Sequence, residues 1–164
     1  MATASKMDYY KSLPRKRMGS GVILQNSKGE VLLLKPTYKD HWEIPGGVVE
    51  EHESPKETAE REVFEEIGLH IEIRSCLVIH YRSASEDRDE SIMFVFDAGV
   101  LVDGVELTLE EKEIAEAKFV SFQDAMVMTG KYIATRFPFC EQALKEKRTI
   151  YLESIGKLEA TFVS

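Results

Sequence analysis

At 164 residues, with 43% apolar and 30% charged side chains, the chain has the size and composition of one globular domain that builds its own core. This excludes a collagen-like, a disordered or a disulfide-scaffold protein. No apolar run reaches the ~20 residues of a membrane span, and the first residues lack the apolar stretch of a secretion signal. With only Cys76 and Cys140, the expected setting is a reducing cytoplasm, and a net charge of −8 argues against nucleic acid or an anionic membrane as partner.

Residues 1–17 read as a basic arm, with Lys6, Lys11, Arg15, Lys16 and Arg17 against Asp8. Such an arm either stays mobile or packs on a second copy of the chain in a homodimer. Tyr9, Tyr10 and Leu13 favour contact, because a free tail has no need of apolar area. Residues 18–164 read as a single domain. Ser20–Gln25 and Glu30–Lys35 flank the short loop Asn26-Ser-Lys-Gly29 and predict a β-hairpin. Pro45-Gly46-Gly47 marks a tight turn. Ser54 then suits an N-cap, Pro55 the first helical position and Glu57 the third residue of a capping box, with the helix running to Ile67 and stopped by Gly68. Leu69–Tyr81 and Ser91–Val102 are strand-like, separated by a polar loop. Lys118–Ser121 suits a further short strand. Helical pattern returns over Phe122–Met128 and Ile133–Lys147, where Pro138 must kink or delay the second piece. Thr149–Leu152 is a short strand or extended tail.

The acidity is concentrated. Between Gly47 and Leu69 stand eight Glu against Lys56 and Arg61. On a helix at about 100° per residue, Glu62, Glu65 and Glu66 share one face, spaced i, i+3, i+4. Ala59, Val63 and Ile67 form a neighbouring apolar stripe. A solvated helix face is the ordinary explanation of such a charge run. Three converging carboxylates repel one another, however, and a hard divalent cation such as Mg²⁺ or Mn²⁺ resolves the repulsion. Arg61 has the fork of donors to hold a carboxylate in place.

The whole string decides between these readings. Gly47, five residues, Glu53, seven residues, then Arg61-Glu62-Val63-Phe64-Glu65-Glu66-Ile67-Gly68-Leu69 resembles the Nudix box, G-x5-E-x7-R-E-U-x-E-E-x-G-U, at every defined position. Seven fixed identities coincide by chance only about once in 10⁸ to 10⁹ start points at average residue usage. The resemblance implies an α/β (α+β) fold, an α/β/α sandwich around a central mixed β-sheet. It further implies Mg²⁺-dependent hydrolysis of a diphosphate linkage in a nucleoside diphosphate derivative or nucleoside triphosphate, with Mn²⁺ a substitute for Mg²⁺. By the same resemblance Glu62, Glu65 and Glu66 and the carbonyl of Gly46 ligate metal, a box glutamate (Glu62 or Glu65) acts as base, and Arg61 orients carboxylates. Gly47, Glu53 and Gly68 are structural. Such proteins often add one more carboxylate from the loop before the last strand; of Glu110, Glu111, Glu113 and Glu116, we favour Glu113.

The chemistry is consistent with this. A diphosphate ester resists hydrolysis because its anionic oxygens repel a nucleophile. Divalent ions neutralise those oxygens and acidify a water, and a carboxylate takes the proton. Lys35, and His80 with Arg82 on one face of a strand, are candidate contacts to a nucleotide-type small molecule. Trp42, Phe94 and Phe96 read as core. Two alternatives stand beside this one: a nucleotide-binding or regulatory protein of the same fold without turnover, and, within the enzyme class, an ADP-ribose or NDP-sugar pyrophosphatase. Neither the Pro nor the Tyr that flags particular subgroups occurs in Ser83–Arg88.

Overall fold

The computed structural model describes residues 6–86, 88–154 and 161–162. An exposed helix α1 (Lys6–Ser12) precedes β1 (Arg17–Gln25). β2 (Val31–Pro36) follows, and the two strands form the expected hairpin, antiparallel with Gln25 opposite Val31. Asn26 shapes its turn, its side-chain oxygen accepting from the amides of Lys28 and Glu30 at 3.0 Å each. β3 (Gly46–Val48), α2 (Pro55–Ile67), β4 (Ser75–Arg82), β5 (Ser91–Val100) and β6 (Ile114–Val120) come next. The chain continues through α3 (Phe122–Met128), the single turn α4 (Lys131–Ala134), α5 (Phe137–Glu146), β7 (Ile150–Ser154) and β8 (Thr161–Phe162).

The strands make one mixed sheet in the order β6-β2-β1-β5-β4-β7-β8, with β3 added against the start of β1. β1–β5 and β4–β7 are parallel, the other pairs antiparallel. Alternation along the strands builds two cores. Val22, Leu24, Leu32 and Leu34 face α2 and meet Ala59, Val63 and Ile67, the stripe read from the sequence. Ile23, Val31 and Leu33 face the other way and pack with Ala125, Phe137, Cys140 and Ala143 of α3 and α5. A sheet with helices on both faces is the expected α/β/α sandwich. Trp42 packs half-buried against the second core.

The α2 boundaries follow the sequence signals closely. The Ser54 hydroxyl accepts from the Glu57 amide, the Glu57 carboxylate accepts from the Ser54 amide, and Pro55 opens the helix. Gly68 closes it in the left-handed conformation, φ 72°.

Four readings change. The strand expected from Leu69 begins only at Ser75; Leu69, Ile71 and Ile73 do pack onto the α2-side core, so their alternation reports one-sided burial without strand pairing. The strand around Lys118 starts earlier, at Ile114. Of the kink or delay expected at Pro138, the structure shows the delay, with the second helix starting only at Phe137. Pro138 sits in the first turn of α5, where its missing N–H costs nothing, so the helical pattern divides into α4 and α5. Arg17, assigned by composition to the arm, opens β1 opposite Ser91. Among the described residues no helix is long and apolar enough to cross a membrane.

Candidate functional site

A cavity of about 760 Å³ opens where the Pro45-Gly46-Gly47 turn meets the exposed side of α2. Two glycines make that meeting possible. Gly46 pairs with Gly21 and has φ 144°, and a Cβ there would overlap the Ser20 carbonyl oxygen. Gly47 pairs with Ser20, and a Cβ there would overlap the Glu62 carboxylate. The turn is thus pressed between β1 and the helix.

Glu62, Glu66, Glu113, Glu43 and Gly46 line one end of the cavity. Glu66 is largely buried and accepts from the Gly46 amide at 2.9 Å. Burial, opposed by that bond and aided by the charges of Glu62, Glu43 and Glu113, lifts its carboxyl pKa to about 8. Glu62 is raised too, chiefly by burial and against the pull of Arg61. Glu113 is held in place by the chain around it: its carbonyl accepts from Thr37 N at 2.8 Å, and its carboxylate adds to the repulsion at Glu62 and Glu66.

Arg61 is the brace behind this end. Its Nε and one Nη donate to the two Glu53 oxygens (2.8 and 3.1 Å), and the other Nη donates to Glu62 (3.0 Å) and Glu65 (2.8 Å). Glu53 also accepts from the Thr58 hydroxyl at 2.6 Å. These bonds, those from Arg61 first, pull its pKa down to about 2. Glu53 is thus bound to Arg61 and Thr58 and lies outside the cavity lining. Glu65, 56% exposed in its side chain, is tied to Arg61 and stands outside the cavity lining.

As the side chains stand, no three His, Cys, Asp or Glu among the described residues ring a common point. The donor set still fits a hard cation. Glu62 and Glu66 are partly buried carboxyls with like-charged neighbours, and Glu66 has no cationic side chain among its hydrogen-bond partners. A divalent ion would supply the positive charge that Glu66 lacks.

The opposite end is basic. Arg17, Arg82, Arg88, Lys131 and Arg136 line it with Tyr132 and Phe94. Arg82, expected as a substrate contact, is here. His80, expected beside it, stands one layer behind: it is fully buried, outside the lining. Its Nδ1 accepts from Arg136 Nε at 3.1 Å and its Nε2 lies 2.8 Å from the Ser154 hydroxyl. Burial first, then Arg136 and Arg82, lower its pKa to about 3, so the ring is neutral and Nε2 carries the proton. Lys35 is also outside the lining. Its Nζ donates to the Lys39 carbonyl at 2.8 Å and braces the loop that brings Lys39 and Tyr38 to the rim. Sequence reading missed Arg17, Arg88, Lys131, Tyr132 and Arg136 as site residues. They come from four separate parts of the chain and form no motif.

Comparison with known proteins agrees with the geometry. The model of the NUDIX domain matches residues 15–140. The chain is 27% identical over 148 residues to an RNA pyrophosphohydrolase of Hydrogenovibrio crunogenus, a match covering 81% of this chain and 88% of that protein. An RNA pyrophosphohydrolase of a Psychrobacter species is 41% identical over 54 residues, a match that spans 31% of that protein. The crystal structure of a MutT protein from Methanosarcina mazei Go1 superposes with a TM-score of 0.66 at 27% identity, covering 84% of this chain and 100% of that one.

Proposed function

The chain belongs to the Nudix family, and from that premise we propose that it hydrolyses a phosphoric anhydride bond in a nucleoside diphosphate derivative or nucleoside triphosphate, with Mg²⁺ as cofactor. The observation that carries this is the pair of partly buried carboxyls, Glu62 and Glu66, facing a cavity of nucleotide size that a cluster of guanidinium groups also lines. Glu62, Glu66, Glu113 and the Gly46 carbonyl are the groups that would hold the metal, with Glu65 recruited from its Arg61 contact. The bound ion would offset phosphate charge and acidify water.

The chain's own residues do the rest. Arg61, locked by Glu53, fixes Glu62 so that its carboxylate need not reorganise as charge develops. Glu62, its carboxyl raised by burial against the pull of Arg61, is the candidate to take a proton from water. The basic end receives substrate anions that the glutamate end would repel.

A panel of nucleoside triphosphates and nucleoside diphosphate derivatives, assayed for products with Mg²⁺ and with EDTA, tests the reading. The expected result is a nucleoside monophosphate as one product, loss of activity in EDTA and its return with Mg²⁺ or Mn²⁺. Full activity in EDTA, or nucleoside as the main product, would sink it. Relatives carry the name RNA pyrophosphohydrolase and so favour a second substrate class, RNA, and adding an RNA oligonucleotide with a 5′ polyphosphate to the panel decides between the two.

A further inference from the structure

Arg82 is 9% exposed and Arg136 4% exposed. The Arg82 guanidinium carbon lies 3.5 Å from the centroid of the Tyr132 ring, and that of Arg88 lies 4.1 Å from it. Arg88 also donates to the Tyr132 hydroxyl. Stacking engages the face of the Arg82 guanidinium and leaves its in-plane N–H groups to find acceptors, yet Arg82 Nη2 is buried without a hydrogen-bond partner. Among the described residues, none of Arg17, Arg82 and Arg136 is ion-paired with a carboxylate. A buried, unpartnered charged donor is costly, and here it stands among three other guanidiniums. The acidic influence on Arg136 is Glu43, and no carboxylate hydrogen-bonds the Arg82 or Arg136 guanidinium among the described residues. A tetrahedral phosphate, with several acceptor oxygens, suits converging planar forks.

We propose that the Arg82–Arg136 end of the cavity, bounded by Arg88 and Tyr132, is a second anion subsite that takes a phosphate group the substrate carries outside the anhydride cut at the glutamate end. His80 is a positioning residue for it, through Arg136 Nε. The subsite rests on the hydrolase reading for its role in turnover, but anion binding does not depend on that reading. The phosphate has two sources, the third phosphoryl of a linear chain or a phosphomonoester elsewhere on the nucleotide.

Three Mg²⁺-supplied substrates separate them: a nucleoside diphosphate joined to an uncharged sugar, the same compound with a ribose 3′-phosphate, and the nucleoside triphosphate. The native chain should favour one phosphate-bearing substrate over the uncharged one in kcat/KM by roughly tenfold to a hundredfold, the factor one charge-assisted hydrogen bond supplies. Whichever is favoured identifies the source. Arg82→Met should abolish the preference, read as the ratio of kcat/KM values within each enzyme. Arg82→Lys keeps the charge without the fork, and should lose most of the preference at a near-native melting temperature. A second arm needs no turnover. In EDTA, inorganic phosphate at about ten times its Kd should raise the melting temperature of the native chain by about 3–6 °C, and that of either variant by much less. Equal preference in native and variant enzymes, or equal phosphate shifts, would overturn the subsite. Absence of turnover on all three compounds would count against the hydrolase reading alone, and the phosphate arm would still decide the subsite.

Discussion

The two ends of one cavity are built in opposite ways. The glutamate end is largely local: Glu53, Arg61, Glu62, Glu65 and Glu66 lie on one helix and the loop before it, and the hydrogen bonds of Arg61 and Glu53 close within eight positions in the chain, while Glu66 reaches back to Gly46 and Glu113 joins from the loop before β6. The guanidinium end is assembled across the fold. Arg17 comes from β1, Arg82 from the end of β4, Arg88 from the loop after it, and Arg136 from just before α5, and the contact that orients Arg136 joins it to His80 across 56 positions. Local geometry can be specified by spacing alone, and is rigid because one helix carries it. The dispersed end is specified by sheet order, and owes its rigidity to buried contacts.

The largest effect should come from breaking the local end. Glu66→Gln and Glu62→Gln keep shape and remove one charge each. Turnover with Mg²⁺ should fall by about two orders of magnitude or more. The metal-free protein should be no less stable, because a buried carboxyl loses its like-charged neighbours. Glu60, paired instead with Lys56 at 3.6 Å, is the control, and Glu60→Gln should keep near-native rates. Normal turnover in both Glu62 and Glu66 variants would reduce the acidic face to a solvated one.

Next in size is the turn that presses on α2. Gly46→Ala places a side chain at φ 144° and against the Ser20 carbonyl. A loss of about 2 kcal/mol or more is expected, read as a lower midpoint in denaturant. The fall in rate should exceed what the loss of folded protein explains, because the Gly46 amide no longer reaches Glu66.

These two predictions concern residues that the sequence made legible, and the reason is physical. A capping box, a Pro at the first helical position and a Gly at the left-handed stop are local rules, so Ser54, Pro55, Glu57 and Gly68 were readable without tertiary context. Glu113 is favoured from its place ahead of the strand read at Lys118, and the structure, starting that strand at Ile114, puts Glu113 in the cavity lining. His80 and Arg82 were read as one pair from strand alternation, yet only Arg82 reaches the cavity; alternation gives the face and not the depth below the surface. Arg136 and Tyr132 were invisible because nothing in their neighbourhood signals chemistry, and only the turn between α3 and α5 brings them to the strand ends. Leu69–Arg74 illustrates the converse: its alternation was legible and its lack of pairing was not, since pairing depends on the neighbouring chain.

The dispersed end should show itself in pH dependence. His80 faces Arg136 and Arg82, with the Ser154 hydroxyl on its other nitrogen. Its pKa is about 6.5 unfolded and lowered to about 3 by burial and by those two arginines. The unfolded chain therefore binds a proton that the folded chain refuses. Stability from this group is full above about pH 6.5 and declines as pH falls toward about 3. His80→Asn retains an acceptor for Arg136 and does not titrate. Plotted relative to its own value at pH 7, the stability of this variant should decline less between pH 6.5 and 4.5. Carboxylates such as Glu53, held at about 2, give the same acid slope to both proteins and cancel in the comparison. Identical profiles would mean that His80 is already charged in the fold.

The smallest effect sharpens the comparison by asking how local the local end is. Ser54→Ala removes the hydroxyl that accepts from the Glu57 amide at 3.2 Å, while the return bond from the Ser54 amide to Glu57, 2.8 Å, can persist. Loss of such a cap costs about 1 kcal/mol, a fall of about 2–4 °C in melting temperature for a chain of this size. Three features still hold the helix where the chemistry needs it. Ala59, Val63 and Ile67 are fully buried, the Gly68 amide still reaches the Phe64 carbonyl, and Arg61 remains bound to Glu53 from the preceding loop. Turnover at a temperature well below the transition should therefore stay within about twofold of native, since the cap is far weaker than the buried contacts that fix Glu62 and Glu66. A large drop in rate at an unchanged fraction folded would show that the first turn of α2 sets the position of those carboxylates, and that the end built by spacing is less rigid than its hydrogen bonds suggest.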